Sequence, residues 1–390
     1  MEYSPEEIMQ YVEEEDVKFI RLAFRDAFGI QKNISVMPGE LQKALFDGIP
    51  INARDIAGFE GSVYTNLFLK PDLETLAVLP WRSESGKVVR LFCDVFTPKN
   101  QPFEADTRII LKKAVKAAEQ KGIIFRFGSE AEFYLFLKDE EGRPTRIPYD
   151  QAGYMDIAPL DRGENVRREI CLTMEEMGLR PVRSHHERGP GQNEIDFHHG
   201  KPVKAADQMT TFKMIVSTVA DRSGLYADFS PMPLRDQAGN GYHIDICATD
   251  SQGKDICNEV SAGIMDKIRD ITLFLNPSED SYTRFGMATA PDRADWSSDG
   301  NSELFYISRY KDIFRTELRS PDASSNPYLV YALLIYAGLE GVERSLPLPK
   351  EMDESSAFLP RSFKEARKAA LASEFIKEHV PEEIINRYCK

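Results

Sequence analysis

The chain has 390 residues, 42% of them apolar, and a formal net charge of −14; that length exceeds one simple core and predicts a soluble globular protein of two domains. The acidic balance excludes nonspecific binding to nucleic acid or to an anionic membrane and leaves a small molecule or a protein as the expected partner. No run of about eighteen apolar residues occurs, the N-terminus MEYSPEEIMQ is acidic where a secretion signal would be basic then apolar, and five scattered cysteines without a CxxC pair point to neither a disulfide framework nor a zinc knuckle, so a cytoplasmic location is expected.

In chain order, Ser4-Pro5-Glu6-Glu7 supplies an N-cap, a first-turn proline and a capping-box glutamate for a helix running to about residue 14. A strand over 17–24, a helical piece over 39–46 and strands over 75–80 and 88–96 complete a small α+β unit that ends near Pro102, giving domains 1–102 and 103–390. The second begins with a helix over 106–121, then a strand over 123–137 and a helix over 167–177. Next come the stretch 182–197, a long helix over 202–222, a strand over 241–249 and a helix over 258–275. An irregular Gly/Ser/Asp segment over 286–302 leads to a strand over 313–320, a helix over 326–341 and polar helices to the end. Antiparallel strands interleaved with long helices define an α+β fold.

The most informative stretch is VRSHHERGPGQNEIDF, 182–197. Glycine allows positive φ and proline fixes its own, so Gly189-Pro190-Gly191 must turn the chain sharply and lets Glu187 and Glu194 converge. Glu130 and Glu132 occupy positions i and i+2 of a strand pattern and leave the same face. An isolated pair of that kind ordinarily faces water; here Phe127, Phe133 and Leu135 make the sheet look buried, which favours a cation between the carboxylates. Glu317 and Arg319 repeat the spacing with a positive partner, where the bland alternative is a cross-strand ion pair of little value. His243, behind Gly239-Asn240-Gly241, would alone be an ordinary histidine. Together these residues form an oxygen-rich set suited to Mg²⁺ or Mn²⁺ and poor for structural zinc, and two such ions could support phosphoryl transfer. His198 and His199 are expected to be solvated loop residues, and the aromatics of FYLFL to be core.

With these motifs assembled, the chain resembles the class I glutamine synthetase family. The resemblance is carried by FDG (46–48), LKPDLETLAVLPW (69–81), SEAEFYLF (129–136), HHERGPGQNEIDF (185–197), FSPMP (229–233), GNGYHID (239–245), NPSEDSYTR (276–284) and RTELRSPDASSNPYL (315–329). It implies a small N-terminal β-grasp-like domain, a larger catalytic domain with an antiparallel sheet, and a ring homo-oligomer with active sites between subunits. It also implies that ATP phosphorylates the side-chain carboxylate of glutamate or a similar acid before ammonia or another amine attacks. By residue, Glu130, Glu132, Glu187, Glu194, His243 and Glu317 match metal ligands for two or three ions, with Glu187 and Glu194 on separate, adjacent ones. Gly239, Arg284 and Arg319 match acid-binding positions, Asp245 and Arg315 fall where ATP is held, and Asp47 matches the carboxylate that a neighbouring subunit offers to ammonium.

Other positions depart from the family pattern. Thr289 and Ala290 stand where the family's flap carries a glutamate, and WSSDGNSELFYIS (296–308) replaces a segment whose arginines contact the ATP phosphates. Arg293, Arg309, Lys311 or Arg315 could replace them. The family's His-x-His becomes His243-Ile244-Asp245, an asparagine becomes Ala238, and Lys390 ends the chain before the segment that joins two rings in the family. The ligand set favours an ATP-dependent ligase with an altered amine or acid, glutamine synthetase or γ-glutamylamide synthetase. The lost arginines leave a noncatalytic, oligomeric regulator that binds metal or nucleotide as the alternative, and a metallohydrolase ranks third for want of a general base.

Overall fold

The computed structural model describes residues 3–81, 86–287, 290–300, 302–310, 313–353 and 355–390. Helix α1 (Pro5–Glu14) has the expected capping box: Ser4 Oγ accepts from the Glu7 N–H, and Glu7 Oε2 accepts from the Ser4 N–H at 2.7 Å. There follow β1 (Val17–Arg25), β2 (Gln31–Val36), α2 (Leu41–Phe46), β3 (Ile49–Asn52), β4 (Asn66–Pro71), β5 (Ala77–Val78) and β6 (Lys87–Phe96). These strands form one sheet in the order β2-β1-β6-β4-β3, with β5 beside β6. β1 and β6 run parallel and the other pairs antiparallel.

Two expectations fail in this part. The strand expected over 75–80 shrinks to Ala77–Val78, because the Asp72 side chain caps a 3₁₀ turn over Leu73–Thr75 just before it. β2, β3 and β4 were not anticipated: β2 is exposed or half-exposed along most of its length and so shows no alternation, and β3 and β4 are short and contain prolines.

The larger part contains α3 (Thr107–Gln120), β7 (Ile124–Lys138), β8 (Pro144–Pro148), α4 (Glu164–Glu176), β9 (Pro181–His186), β10 (Gln192–Gly200), α5 (Pro202–Arg222) and β11 (Leu225–Asp228). It continues with β12 (Tyr242–Thr249), α6 (Cys257–Leu275), β13 (Trp296–Ser297), β14 (Phe305–Tyr310), β15 (Ile313–Leu318), α7 (Pro327–Glu343), α8 (Phe363–Ala372), α9 (Glu374–His379) and α10 (Glu382–Tyr388). A second sheet runs β13-β14-β15-β12-β7-β10-β9, with β8 and β11 also pairing with β7.

β7 is its axis. One face carries Phe125, Phe127, Phe133 and Leu135 into the core. Phe127 stacks on Tyr331 of α7 with centroids 4.2 Å apart, and Phe133 meets Phe212 of α5 edge-on at 6.1 Å. Burying each such ring contributes about 1.5–3 kcal/mol, so this face holds the strand in place and leaves the opposite face for polar chemistry. The aromatics of FYLFL are core, as expected: Phe133, Tyr134 and Phe136 are fully buried.

Three further expectations change. His198 and His199 are exposed, but they lie within β10 and not in a loop. The Gly/Ser/Asp segment over 286–302 is irregular in its described residues apart from the two-residue β13, and it is β14 beyond it, pairing antiparallel with β15, that was not anticipated. The C-terminal helices are polar in composition yet dock: Ala366, Ala370, Phe375, Ile376, Ile384, Ile385 and Tyr388 are buried, a narrow apolar stripe hidden among charges.

Buried cations tie the first sheet to the helices of the larger part, Arg90 of β6 through Thr211 of α5 and Arg108 through a cluster of carboxylates. Arg108, at the start of α3, donates to Asp94 of β6 at 2.6 Å, to Asp72 at 2.8 Å, and with two nitrogens to Asp207 of α5 at 2.9 and 3.1 Å. Tyr328 of α7 also donates to Asp207, at 2.5 Å. Replacing Arg108 by Met leaves Asp207 with the Tyr328 hydroxyl alone and Asp72 and Asp94 with Lys112 alone, and the expected loss is about 3–5 kcal/mol in urea unfolding. Arg143→Ala, at an exposed ion pair, should cost about 0.5 kcal/mol or less. Equal losses for the two variants would contradict this account.

Candidate active site

Strand register lays a row of acids across the open face. Glu132 lies opposite Glu194 of β10; Glu130 lies opposite Asp196 on one side and His243 of β12 on the other; Asp245 lies opposite Glu317 of β15. Like charges directly across a ladder destabilise it. They are also desolvated: relative exposures are 7% for Glu130, 8% for Glu132, 8% for Glu187, 5% for Glu194 and 1% for Glu317, which rules out the reading in which the Glu130/Glu132 pair faces water.

The hinge turns as expected. The Gln192 N–H donates to Gly189 O at 2.9 Å and the Glu187 N–H to Gln192 O at 2.8 Å. Gly191 sits at φ +70, and a Cβ on Gly189 would lie 1.8 Å from the Tyr134 hydroxyl, so neither position accepts a side chain. Asp150 holds the turn from behind: its Oδ1 accepts from the Gly191 N–H at 2.9 Å and lies 2.9 Å from His186 Nε2.

Three groups of ligand atoms gather here, each within 4.8 Å: Glu130, His243 and Glu317; His185, Glu187 and Glu194; and Glu130, Glu194 and Asp196. The hairpin thus brings Glu187 and Glu194 into one group with His185, because both flank the same turn. Glu132 lies beside them, its Oε2 accepting from the Gly241 N–H at 2.8 Å and from Gln192 Nε2 at 3.0 Å. A fourth group, Asp150, Asp161 and His186, has partners of its own, since Arg167 grips Asp161 with two nitrogens, and reads as scaffold.

Protein cations neutralise the acids unevenly. Arg315 pairs with Glu130, with Glu317 at 3.0 Å and with Asp245 at 3.1 Å, while Arg319 donates to Glu317 at 2.5 Å and Arg183 pairs with Asp196 and Glu130. Among the described residues, Glu132, Glu187 and Glu194 share a single ion pair, His185–Glu187 at 2.9 Å. Burial, reinforced by Glu132 and Asp196, pushes Glu194 well above the usual carboxylate range, and burial also raises Glu132. For Glu317 burial is outweighed by His243, Arg319 and Arg315, which bring it down to about 2. His243 is opposed by burial and by Arg319, yet its contacts with Glu130 and Glu317 lift it to about 9. Buried carboxylates that repel one another, with one imidazole in each of two groups, fit a hard divalent cation.

Beside the acids opens a cavity of about 280 Å³ lined by Glu132, Arg188, Asp236, Gln237, Ala238, Gly239, Gly241, His243, Arg284, Met287 and Ala290. Of the expected acid-binding residues, Gly239 and Arg284 line it; Arg319 sits next to it on Glu317. A Cβ on Gly239 would come within 2.6 Å of Arg284. Arg284 Nη2 donates to Ser320 O at 2.6 Å and to Pro321 O at 3.1 Å. Asp47 is exposed at the end of α2 and does not line the cavity. Of the cations expected near ATP, Arg293 stacks on Phe358 and Arg309 donates to Asn258, while Arg315 lies among the acids. Lys311 and Thr289 lie outside the described residues. Sequence patterns missed Arg188, Asp236, Gln237 and Met287, since each sits in irregular backbone where no periodicity gives a direction. They also missed Asp196, which does carry a signal, being two residues from Glu194 on β10.

Residues 104–390 match the family model for the glutamine synthetase catalytic domain, and residues 16–98 that for the glutamine synthetase beta-grasp domain. The chain belongs to the glutamine synthetase family. It is 40% identical over 365 residues to a glutamine synthetase of Clostridium saccharobutylicum, covering 90% of this chain and 82% of that one. It is 37% identical over 379 residues to one from Staphylococcus epidermidis, covering 93% and 85%. Two solved structures, described as a GmaS/ADP complex and as apo GmaS, superpose with TM-scores of 0.87 and 0.88 at 25% identity, over 98% of this chain and 93% of each of theirs. The α+β expectation with a β-grasp first domain therefore holds, and membership in the glutamine synthetase family implies small-molecule substrates and the use of ATP and a divalent metal.

A cation held by these residues would displace protons. With His243 titrating near 9 and Glu132 and Glu194 raised, a cation that needs these ligands deprotonated should bind more tightly as pH rises from about 6 to about 9. Calorimetry of Mg²⁺ or Mn²⁺ binding in two buffers of different ionisation enthalpy should report proton release at pH 7. Affinity that does not change with pH would contradict the assignment.

Proposed function

We propose that the chain is an ATP-dependent ligase that joins the side-chain carboxylate of glutamate to an amine. The observation that carries this reading is the row of buried acids beside a small cavity that also holds Arg284 and Gly239. A carboxylate resists amine attack. Transfer of the ATP γ-phosphoryl group to it creates an acyl phosphate and releases ADP; the amine nitrogen then bonds to the acyl carbon, phosphate departs and the amine gives up a proton. Glu130, Glu132, Glu187, Glu194, His243 and Glu317 would hold two or three Mg²⁺ or Mn²⁺ ions, which when bound neutralise charge on the transferring phosphoryl group. Arg284, Arg319 and Gly239 orient the acid, and Arg315 with Asp245 forms the phosphate side. The relatives support this reading over a noncatalytic regulator or a hydrolase.

The amine side differs from an ammonium site. Met287 and the buried Ala290 line the cavity, and an apolar wall favours a primary alkylamine over ammonium. We place the completing carboxylate, Asp47, in a neighbouring subunit of a ring homo-oligomer. In support, Phe46 and Val63 are 56% and 90% exposed in the first domain, and Tyr154, Met155, Ile157 and Leu160 are 53–75% exposed beside the hinge, where Tyr154 meets His185 edge-on at 5.5 Å; exposed apolar clusters mark interfaces. The division into domains 1–102 and 103–390 is supported by the separate sheets. A cytoplasmic site of action is supported by five cysteines that are all free.

ADP release should require Mg²⁺ or Mn²⁺, glutamate and an amine together, and kcat/KM should be higher for ethylamine than for ammonium. Glu130→Gln should lower kcat by about a thousandfold, from the several kcal/mol that metal-assisted charge stabilisation supplies. Asp47→Asn should also be impaired, and mixing it with Glu130→Gln subunits should restore part of the activity if sites are shared between copies. No turnover with any acid and amine pair would sink the ligase reading; no restoration in hybrids would sink the shared site.

A further inference from the structure

We infer that Asp322, which does not line the cavity, is a positioning residue that holds Arg284 back from Glu132 and so keeps both the cavity and that metal ligand free. The inference rests on the ligase reading only for the use to which the open space is put. Glu132 and Arg284 line the same cavity of about 280 Å³. A carboxylate and a guanidinium that share so small a space ordinarily close on each other through two parallel hydrogen bonds. That contact would fill the cavity and take Glu132 from any cation.

Arg284 faces the other way. It is 3% exposed, its Nη2 donates to Ser320 O at 2.6 Å and to Pro321 O at 3.1 Å, and its stem lies against Gly239. Its buried Nε has no partner among the described residues. On the opposite wall Glu132 accepts from Gly241 and Gln192 through Oε2. Burial draws the Arg284 guanidinium below its ordinary value; Asp322 opposes that most strongly and Glu132 next. Two carboxylates thus compete for one cation, one behind the turn that Arg284 grips and one in the cavity.

That turn is fastened from behind. Asp322 is fully buried; its Oδ1 accepts from the Ser324 N–H at 2.9 Å and from the Ser324 hydroxyl, and its Oδ2 accepts from Asn276 Nδ2 at 3.1 Å. The same Asn276 nitrogen donates to Ser320 O at 2.8 Å, so it ties the carboxylate to the carbonyl that Arg284 holds. An aspartate that caps a turn before a helix is the commonplace reading of such a residue, and the Ser324 contacts fit it. That role needs neither a buried charge nor a link to Ser320 O. A buried carboxylate is costly without opposite charge nearby; here Arg284 supplies it on one side and Lys213, which donates to Ala323 O, on the other. Without the Asp322 charge Glu132 becomes the stronger attraction, Arg284 crosses the cavity, and a cation has to displace it.

Calorimetric titration of Mn²⁺ into the full chain, without substrates, reads this directly. Asp322→Asn should weaken Mn²⁺ binding about tenfold, the scale of one hydrogen bond between charged groups that the cation must break. In an Arg284→Gln chain the same substitution should change it by less than about twofold. Unaltered Mn²⁺ affinity in Asp322→Asn, or an equal loss in the Arg284→Gln background, where only the field of the missing charge acts, would overturn the inference. Should Asp322→Asn not fold, Ser324→Ala loosens the same carboxylate and should weaken Mn²⁺ about two- to threefold, again only with Arg284 present; no loss would overturn the inference equally. ADP release with glutamate and an amine tests the ligase reading separately. The expected Mn²⁺ pattern without turnover would refute the ligase and uphold the role of Asp322. Turnover with Mn²⁺ affinity unaltered in Asp322→Asn would do the reverse, and neither Mn²⁺ binding nor turnover would overturn both.

Discussion

Repulsion between carboxylates on one face of one sheet is the constraint to which the rest of the molecule answers. Glu130, Glu132, Glu194 and Asp196 face each other across β7 and β10 with little water between them, an arrangement that would separate if the strands were free to slide. They are not free, because the reverse face of β7 is fixed by Phe127 on Tyr331 and Phe133 on Phe212. The apolar face stabilises what the polar face opposes. This separation of tasks between the two faces of a strand lets a protein hold charge in readiness for a cation.

The protein's own cations complete the balance in only one half of the site. Arg315, Arg319 and Arg183 attend Glu130, Glu317 and Asp196, whereas Glu132, Glu187 and Glu194 lean on His185 and on backbone or amide donors. The second half is where added positive charge gains most, and it adjoins the cavity. Arg315 ties three of the acids together, pairing with Glu130, Glu317 and Asp245.

Much of this was legible in the residues because alternation is a local property. Glu130 and Glu132 could be assigned one face from their spacing alone, the hinge followed from Gly-Pro-Gly, and α5 and α7 showed their limits through prolines at their starts. What escaped was set at a distance. β2 and β4 became strands through their neighbours in the sheet, and the sharing of one ligand group by Glu187 and Glu194 depended on how tightly the hairpin closes. Arg188 and Asp236 lie in irregular backbone, where direction is decided by packing that no sequence window contains.

One tyrosine gives the site a further property. The Tyr134 hydroxyl closes against Gly189, leaving no room there for a Cβ, and donates to Ala238 O at 2.6 Å. It therefore touches both the turn between Glu187 and Glu194 and the loop that forms the cavity wall. Any displacement of the turn on loading the acids is felt at that wall through a single rigid ring, and the wall acts back on the turn. Where filling one place moves this ring, the other feels it, and by reciprocity the effect is equal in both directions whatever its sign.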